Sequence, residues 1–83
     1  MSDVHISATE AGLLSVVERQ GELRAKRVLD LHNDALELER REILSRLEEA
    51  GLVREAYSNE AEIAYVITAA GRAVLAELDA RHG

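Results

Sequence analysis

Seven basic side chains in the central part of this 83-residue chain have the most specific chemistry. A guanidinium offers two parallel N–H donors to a phosphate or a carboxylate, whereas a lysine ammonium acts as a point charge. In chain order the seven are Arg24, Lys26, Arg27, Arg40, Arg41, Arg46 and Arg54. Their spacing is compatible with a narrow basic track that binds a polyanion, and equally with an ordinary solvated surface.

Carboxylates outnumber the basic residues and make the net charge of the chain negative. The formal net charge is −6, of which residues 34–51 carry −3 and residues 52–67 carry −2. Affinity for nucleic acid depends largely on Lys and Arg displacing the counterions of phosphate. The acidic middle of the chain is therefore unfavourable to nucleic-acid binding by a single copy.

Residue types that support catalysis or metal binding show no grouping. The chain has no cysteine, and His5, His32 and His82 are far apart, with no pair spaced four residues apart beside a carboxylate. A metal site formed by His32 with Asp30 or Asp34 is the weak remaining alternative. We therefore expect no enzyme activity, no metal and no cofactor.

The composition predicts one domain that spans residues 1–83, with a core from about residue 8 to about residue 80. Hydrophobic residues make up 47% of the chain and proline is absent, which favours a compact fold over disorder. No apolar run approaches the roughly 20 residues of a membrane span, and no signal peptide is recognisable. A cytoplasmic location is the expectation.

Capping and stop signals divide the chain into helices and strands. Ser7 and Glu10 have the spacing of a capping box, and Gly21 is a stop for the first helix. A second helix is predicted at about 24–32, with Ala25, Val28, Leu29 and Leu31 as its apolar side. Asp34 and Glu37 repeat the capping spacing for a third helix that ends at Ala50, before Gly51. Strands are predicted at 53–57 and 62–67, and Thr68 is predicted to cap a final helix.

A helical wheel of the third helix separates two faces. Its predicted core stripe consists of Leu36, Ile43, Leu47 and Ala50, flanked by Arg40 and Leu44. The predicted outward face consists of Asp34, Leu38, Arg41, Ser45 and Glu49, with Glu42 at its margin. The whole predicted core contains Leu14, Val17, Val28, Leu29, Leu36, Ile43, Leu47, Val53, Ile67 and Leu75.

From Leu13 to Leu78 the chain resembles the winged helix-turn-helix regulators of the MarR, ArsR and PadR type. The resemblance rests on the helix exit Leu47-Glu48-Glu49-Ala50-Gly51-Leu52-Val53, and on Tyr65-Val66-Ile67-Thr68 followed by Gly71-Arg72. It implies a mainly α fold with a small β-hairpin: three helices, a two-stranded wing and a C-terminal helix. It also implies that Val53, Tyr65 and Ile67 are buried.

The resemblance implies a small DNA-binding protein for transcription regulation, which reads the major groove of double-stranded DNA with the helix around residues 35–50. Arg24, Lys26, Arg27 and Arg54 would contact phosphates, while Arg40, Arg41 and Ser45 would lie nearest the bases. Such a regulator is expected to act as a homodimer. The predicted interface is Val74, Leu75 and Leu78 of the last helix, with Leu13 or Val16 of the first helix as a further contribution.

Acidic residues at the start of the third helix and at the wing tip depart from this pattern. Where small hydroxyl or basic residues would reach phosphate, the chain has Asp34, Glu37 and Glu39. The alternative is an acidic winged-helix module for protein–protein interaction that does not bind DNA itself. In that case Glu37, Leu38 and Glu42 would bind the partner protein.

Overall fold

The computed structural model describes residues 6–82, with side chains described for residues 6–80, as a mixed α/β fold of three helices and one three-stranded antiparallel sheet. The elements in chain order are α1 (Ala8–Gln20), β1 (Leu23–Lys26), α2 (Ala35–Glu49), β2 (Val53–Ser58), β3 (Glu62–Ile67) and α3 (Ala69–His82). β3 is the central strand, in the order β1-β3-β2. The expected mainly α fold with a two-stranded sheet is therefore wrong in its strand count.

The first helix has the predicted ends. The Ser7 side chain accepts from the Glu10 N–H at 3.1 Å, and the Glu10 carboxylate accepts from the Ser7 N–H at 2.8 Å. This reciprocal pair satisfies two N–H groups that have no partner within the helix. At the other end Gly21 has φ 84°, a conformation that side chains disfavour, and its N–H bonds the Val17 carbonyl.

The predicted second helix at 24–32 is wrong, because the chain forms strand β1 and then a loop. Leu23 and Ala25 are buried while Arg24 and Lys26 are exposed, which is the alternation of a half-buried strand. β1 pairs with β3, with Leu23 opposite Tyr65 and Ala25 opposite Ile63. Of the apolar residues assigned to the helix, Val28 is 80% exposed and Leu31 is 73% exposed.

Carboxylates hold the loop that replaces this helix. The Asp30 carboxylate accepts from the His32 N–H at 2.8 Å, and the Asp34 carboxylate accepts from the Asp30 N–H at 3.0 Å. Asp34 is the residue before α2 but makes no side-chain cap bond to the helix. The predicted capping box with Glu37 is therefore wrong, because the Asp34 carboxylate is committed to Lys26 and to the loop.

The second helix of the molecule, α2, agrees with the predicted third helix in its extent but only partly in its buried face. Ile43, Leu44 and Leu47 are buried against the sheet and α1. Leu36, predicted to be in the core, is 82% exposed because none of the described residues packs over it where the second helix was expected. Gly51 has φ 78° and directs the chain into β2.

The hairpin and the last helix agree closely with the sequence prediction. Val53, Tyr65 and Ile67 are buried as expected. The Asn59 side chain accepts from the Ala61 and Glu62 N–H groups and closes the turn. The Thr68 hydroxyl accepts from the Gly71 N–H at 3.1 Å and donates to the Gly51 carbonyl at 2.6 Å, so it connects α3 to the end of α2.

One core lies between the sheet and the helices. Of the residues predicted for it, Leu14, Val17, Ile43, Leu47, Val53 and Ile67 are buried. Leu75 is half-buried and packs against this core, and Leu29 is half-buried in the loop before α2. Val28 and Leu36 are exposed, so their predicted place in the core is wrong.

Candidate binding surfaces

The sheet face opposite the core carries Arg24, Lys26 and Arg54. Arg24 and Lys26 alternate with buried residues along β1, and Arg54 follows the buried Val53 at the start of β2. Two of these three bases are already paired. Arg24 donates to the Glu22 carboxylate at 2.7 Å and to the Glu62 carboxylate at 2.8 Å. These hydrogen bonds, together with the charges of the two carboxylates, raise the pKa of the Arg24 guanidinium.

Lys26 is the second paired base. Its ammonium donates to Asp34 at 3.1 Å. The pKa of the Asp34 carboxyl lies below its usual value because the Asp30 N–H donates to it and because Lys26 is beside it. A carboxylate lies beside each of these two bases, so two of the seven bases of the predicted track are neutralised within the chain.

Arg40 and Arg41, predicted to lie nearest the DNA bases, donate to the chain's own backbone. The Arg40 Nη2 donates to the carbonyl of Arg24 at 2.8 Å and also bonds the Glu37 carboxylate at 3.3 Å. The Arg41 Nη1 donates to the carbonyl of Arg27 at 2.7 Å. The two guanidiniums therefore connect α2 to β1 and to the residue that follows it.

The outward face of α2 differs from the predicted one. Leu38 and Arg41 are half-buried, and the Arg41 guanidinium reaches the loop that follows β1. A stripe of exposed residues at helical spacing takes their place, and it consists of Ala35, Glu39, Glu42, Arg46 and Glu49. We call this stripe the acidic face of α2, because it contains three carboxylates and one guanidinium. Ser45 is exposed beside it.

Three of the seven bases singled out from the sequence are exposed and make no side-chain hydrogen bond or ion pair with the part of the chain that is described. They are Arg27, Arg46 and Arg54. Arg27 follows β1, Arg54 is on the edge strand β2, and Arg46 belongs to the acidic face of α2. Of the bases predicted to touch phosphate, Arg27 and Arg54 are thus the two whose guanidiniums are uncommitted.

An open apolar groove runs between α1 and α2. It has a volume of about 320 Å³, and its apolar lining consists of Gly12, Leu13 and Val16 from α1 with Leu36 and Ile43 from α2. Thr9, Glu39 and Arg40 complete its border. The sequence contains one signal for this groove, since Leu13 and Val16 fall beside the buried Leu14 and Val17. The sequence prediction gives Leu13 or Val16 a part in a dimer interface.

The predicted dimer interface lies on α3. Val74 and Leu75 are half-buried and pack against the core, and Leu78 is half-buried near the end of the helix. Arg72 on the same helix bonds the Glu18 carboxylate of α1 at 3.1 Å. The three apolar side chains retain some free surface, and self-association through them remains a prediction.

The residues weighed for metal binding act in the loop instead. The Asp30 carboxylate accepts from the His32 backbone and from the Asn33 side chain. Within the described part of the chain no three His, Asp or Glu side chains are placed to hold a metal ion. His5 and the side chain of His82 lie outside the described residues. No helix among residues 6–82 has the length and apolarity that a membrane crossing requires.

Comparison with known proteins finds no relative. No protein-family model, no curated protein and no solved structure matches this chain.

Proposed function

We propose that this chain is a winged-helix-type interaction module that binds a basic protein partner through α2. The single observation that carries the proposal is the use of the α2 side chains. Arg40 and Arg41, which a DNA-reading helix would direct into the major groove, are bonded to backbone carbonyls. Glu39, Glu42 and Glu49 instead face outward, and phosphates would be repelled there.

Electrostatic complementarity supports a basic partner. Glu39 and Glu42 are exposed and make no hydrogen bond or ion pair with other described residues, so both carboxylates are free to meet Lys or Arg. Opposed patches of charge increase the rate of encounter and exclude wrong partners more than they increase affinity. The role we assign is therefore selective binding, with no catalytic step.

The test compares two fluorescent probes, a lysine-rich peptide and a random-sequence DNA duplex, on the full chain. We expect the peptide to bind and the duplex not to bind at low salt. Replacing Glu39 and Glu42 by Gln should weaken the peptide complex. The matched control replaces Glu55 and Glu60 of the hairpin by Gln, which removes the same charge elsewhere and should leave most of the binding. Equal losses in the two variants would contradict the proposal.

DNA-binding transcription regulation is the second candidate, and the free guanidiniums of Arg27 and Arg54 favour it. In this case a cytoplasmic homodimer, joined through Val74, Leu75 and Leu78, would double the number of phosphate contacts. Retardation of random-sequence duplex, with an affinity that falls steeply with salt, would support it. The double variant Arg27→Glu, Arg54→Glu should then abolish retardation. It leaves unchanged every Lys or Arg whose side chain is bonded within the described protein.

A further inference from the structure

We infer that the groove between α1 and α2 is the docking site for one amphipathic helix of a partner protein, whose apolar stripe is bordered by Lys or Arg. The inference rests on the proposed function and adds the site and the form of the partner. A helix-in-groove contact buries the apolar stripe of one helix in a hydrophobic cleft between others.

The floor of the groove is shaped for close approach. Gly12 lies in the middle of α1, where glycine costs helix stability, and a Cβ placed there would meet no atom within 4 Å. The missing side chain therefore leaves open space over α1. Leu13 and Val16 form one wall and Ile43 part of the other.

Leu36 stands at the edge of the groove and is 82% exposed. The segment before α2 is a loop, so none of the described residues packs over this leucine. A single exposed leucine is ordinary, but one that borders an apolar groove extends the surface that a partner can bury. An added helix would cover it.

The charge at the border selects the occupant. Glu39 borders the groove, and a smaller cleft of about 280 Å³ beside it is lined by Glu10, Glu39, Glu42 and Arg46. Arg46 offsets one of these three carboxylates, and Glu37 compensates the charge of Arg40, so the border of the groove keeps a negative charge. A second copy of this chain, with its charge of −6, would bring like charges together. A partner helix flanked by Lys or Arg is complementary.

The experiment titrates the full chain with synthetic helical peptides of about 15 residues, close to the length at which isolated helices become stable. Each peptide has leucines at i, i+3 or i+4, and i+7, and one series has flanking Lys where the other has flanking Glu. Fluorescence anisotropy measures binding. We expect the Lys series to bind more tightly, and we expect this preference to shrink as salt is added.

Two variants test the groove itself. Gly12→Leu fills it from a position with free space, and it should abolish binding while the melting temperature rises, because leucine favours a helix more than glycine does. Leu36→Ala should weaken binding about tenfold, equivalent to 1.4 kcal/mol. Val28→Ala is the matched control, since Val28 is 80% exposed and does not line the groove. It should bind as the parent does.

The outcomes separate this inference from the proposed function. If Gly12→Leu binds the Lys peptides as tightly as the parent, the groove is not the site. If the Glu39→Gln, Glu42→Gln variant still loses affinity in that case, the acidic-face function survives alone. No binding of either series by the parent overturns the inference. Sedimentation that shows a dimer of the parent, lost in Gly12→Leu, would make a second copy the occupant and contradict it as well.

Discussion

The segment 23–34 and the segment 47–71 contain similar local signals, yet only the second folds as these signals predict. In the second segment the stop and cap signals act on near neighbours. Gly51 ends α2, and the Thr68 hydroxyl caps α3 by accepting from the Gly71 N–H. In the first segment Leu23 and Ala25 find their partners on β3, about forty residues away. Local chemistry decides structure where its bonds are local, and tertiary pairing overrides it elsewhere.

Among the substitutions that test the two segments, Leu47→Ala should cause the largest loss of stability. Leu47 is 1% exposed in the middle of the core, and removal of a buried leucine side chain leaves a cavity. We expect the free energy of unfolding to fall by roughly 2–5 kcal/mol in a urea titration. A loss below about half a kcal/mol, the range of a surface substitution, would mean that the α2 stripe is misassigned.

Leu23→Ala and Leu31→Ala test the first segment directly. Leu23 is buried in β1 whereas Leu31 is exposed, so Leu23→Ala should destabilise by about 2 kcal/mol and Leu31→Ala by less than about 0.5 kcal/mol. A helix over 24–32 would require the reverse, because Leu31 belonged to its apolar side. The ratio of the two losses, measured by thermal unfolding, separates the two structures.

Gly71→Ala and Gly12→Ala form a matched pair of helix glycines. A Cβ at Gly71 would collide with the backbone carbonyl of Leu52, whereas one at Gly12 meets nothing. Overpacking at Gly71 should cost about 1–3 kcal/mol, and alanine at Gly12 should stabilise by about 0.5–1 kcal/mol. Equal effects in calorimetry would contradict the close contact between α3 and the start of β2.

Acid should weaken the loop of the first segment through Asp34. The pKa of this carboxyl is lowered on folding, so its contribution to stability is complete above its ordinary value of 3.8 and is lost as pH falls through the folded pKa. Asp34→Asn should remove that part of the pH dependence. The check is to compare urea midpoints of the parent and the variant at about pH 7 and about pH 3. An unchanged difference between the two proteins would exclude this role.

Sequence reasoning located most of the elements because their ends are determined within a few residues. The capping box at Ser7, the stops at Gly21 and Gly51 and the Thr68 cap are all short-range contacts. It missed β1, whose four residues are too few to establish a period without knowledge of the partner strand.

The sequence also could not predict where the side chains of Arg40 and Arg41 point. The helical wheel predicts Arg41 on the outward face and Arg40 beside the core stripe, with both nearest the DNA bases. Both instead donate to carbonyls of a segment for which the sequence predicts the wrong structure. The exposure of Leu36 follows from the same error, because it depends on what fails to cover it. The groove could therefore not be derived before β1 was known.

The hydrogen bonds from α2 to β1 and the following loop do not depend on which side chains are present at the accepting residues. Arg40 and Arg41 bind the main-chain carbonyls of residues 24 and 27, and every amino acid supplies a carbonyl. Position 27, whose own side chain is unpaired among the described residues, can therefore accept mutations during evolution without loosening the connection. A substitution at position 27 can therefore introduce a new charge or contact while α2 and β1 stay connected.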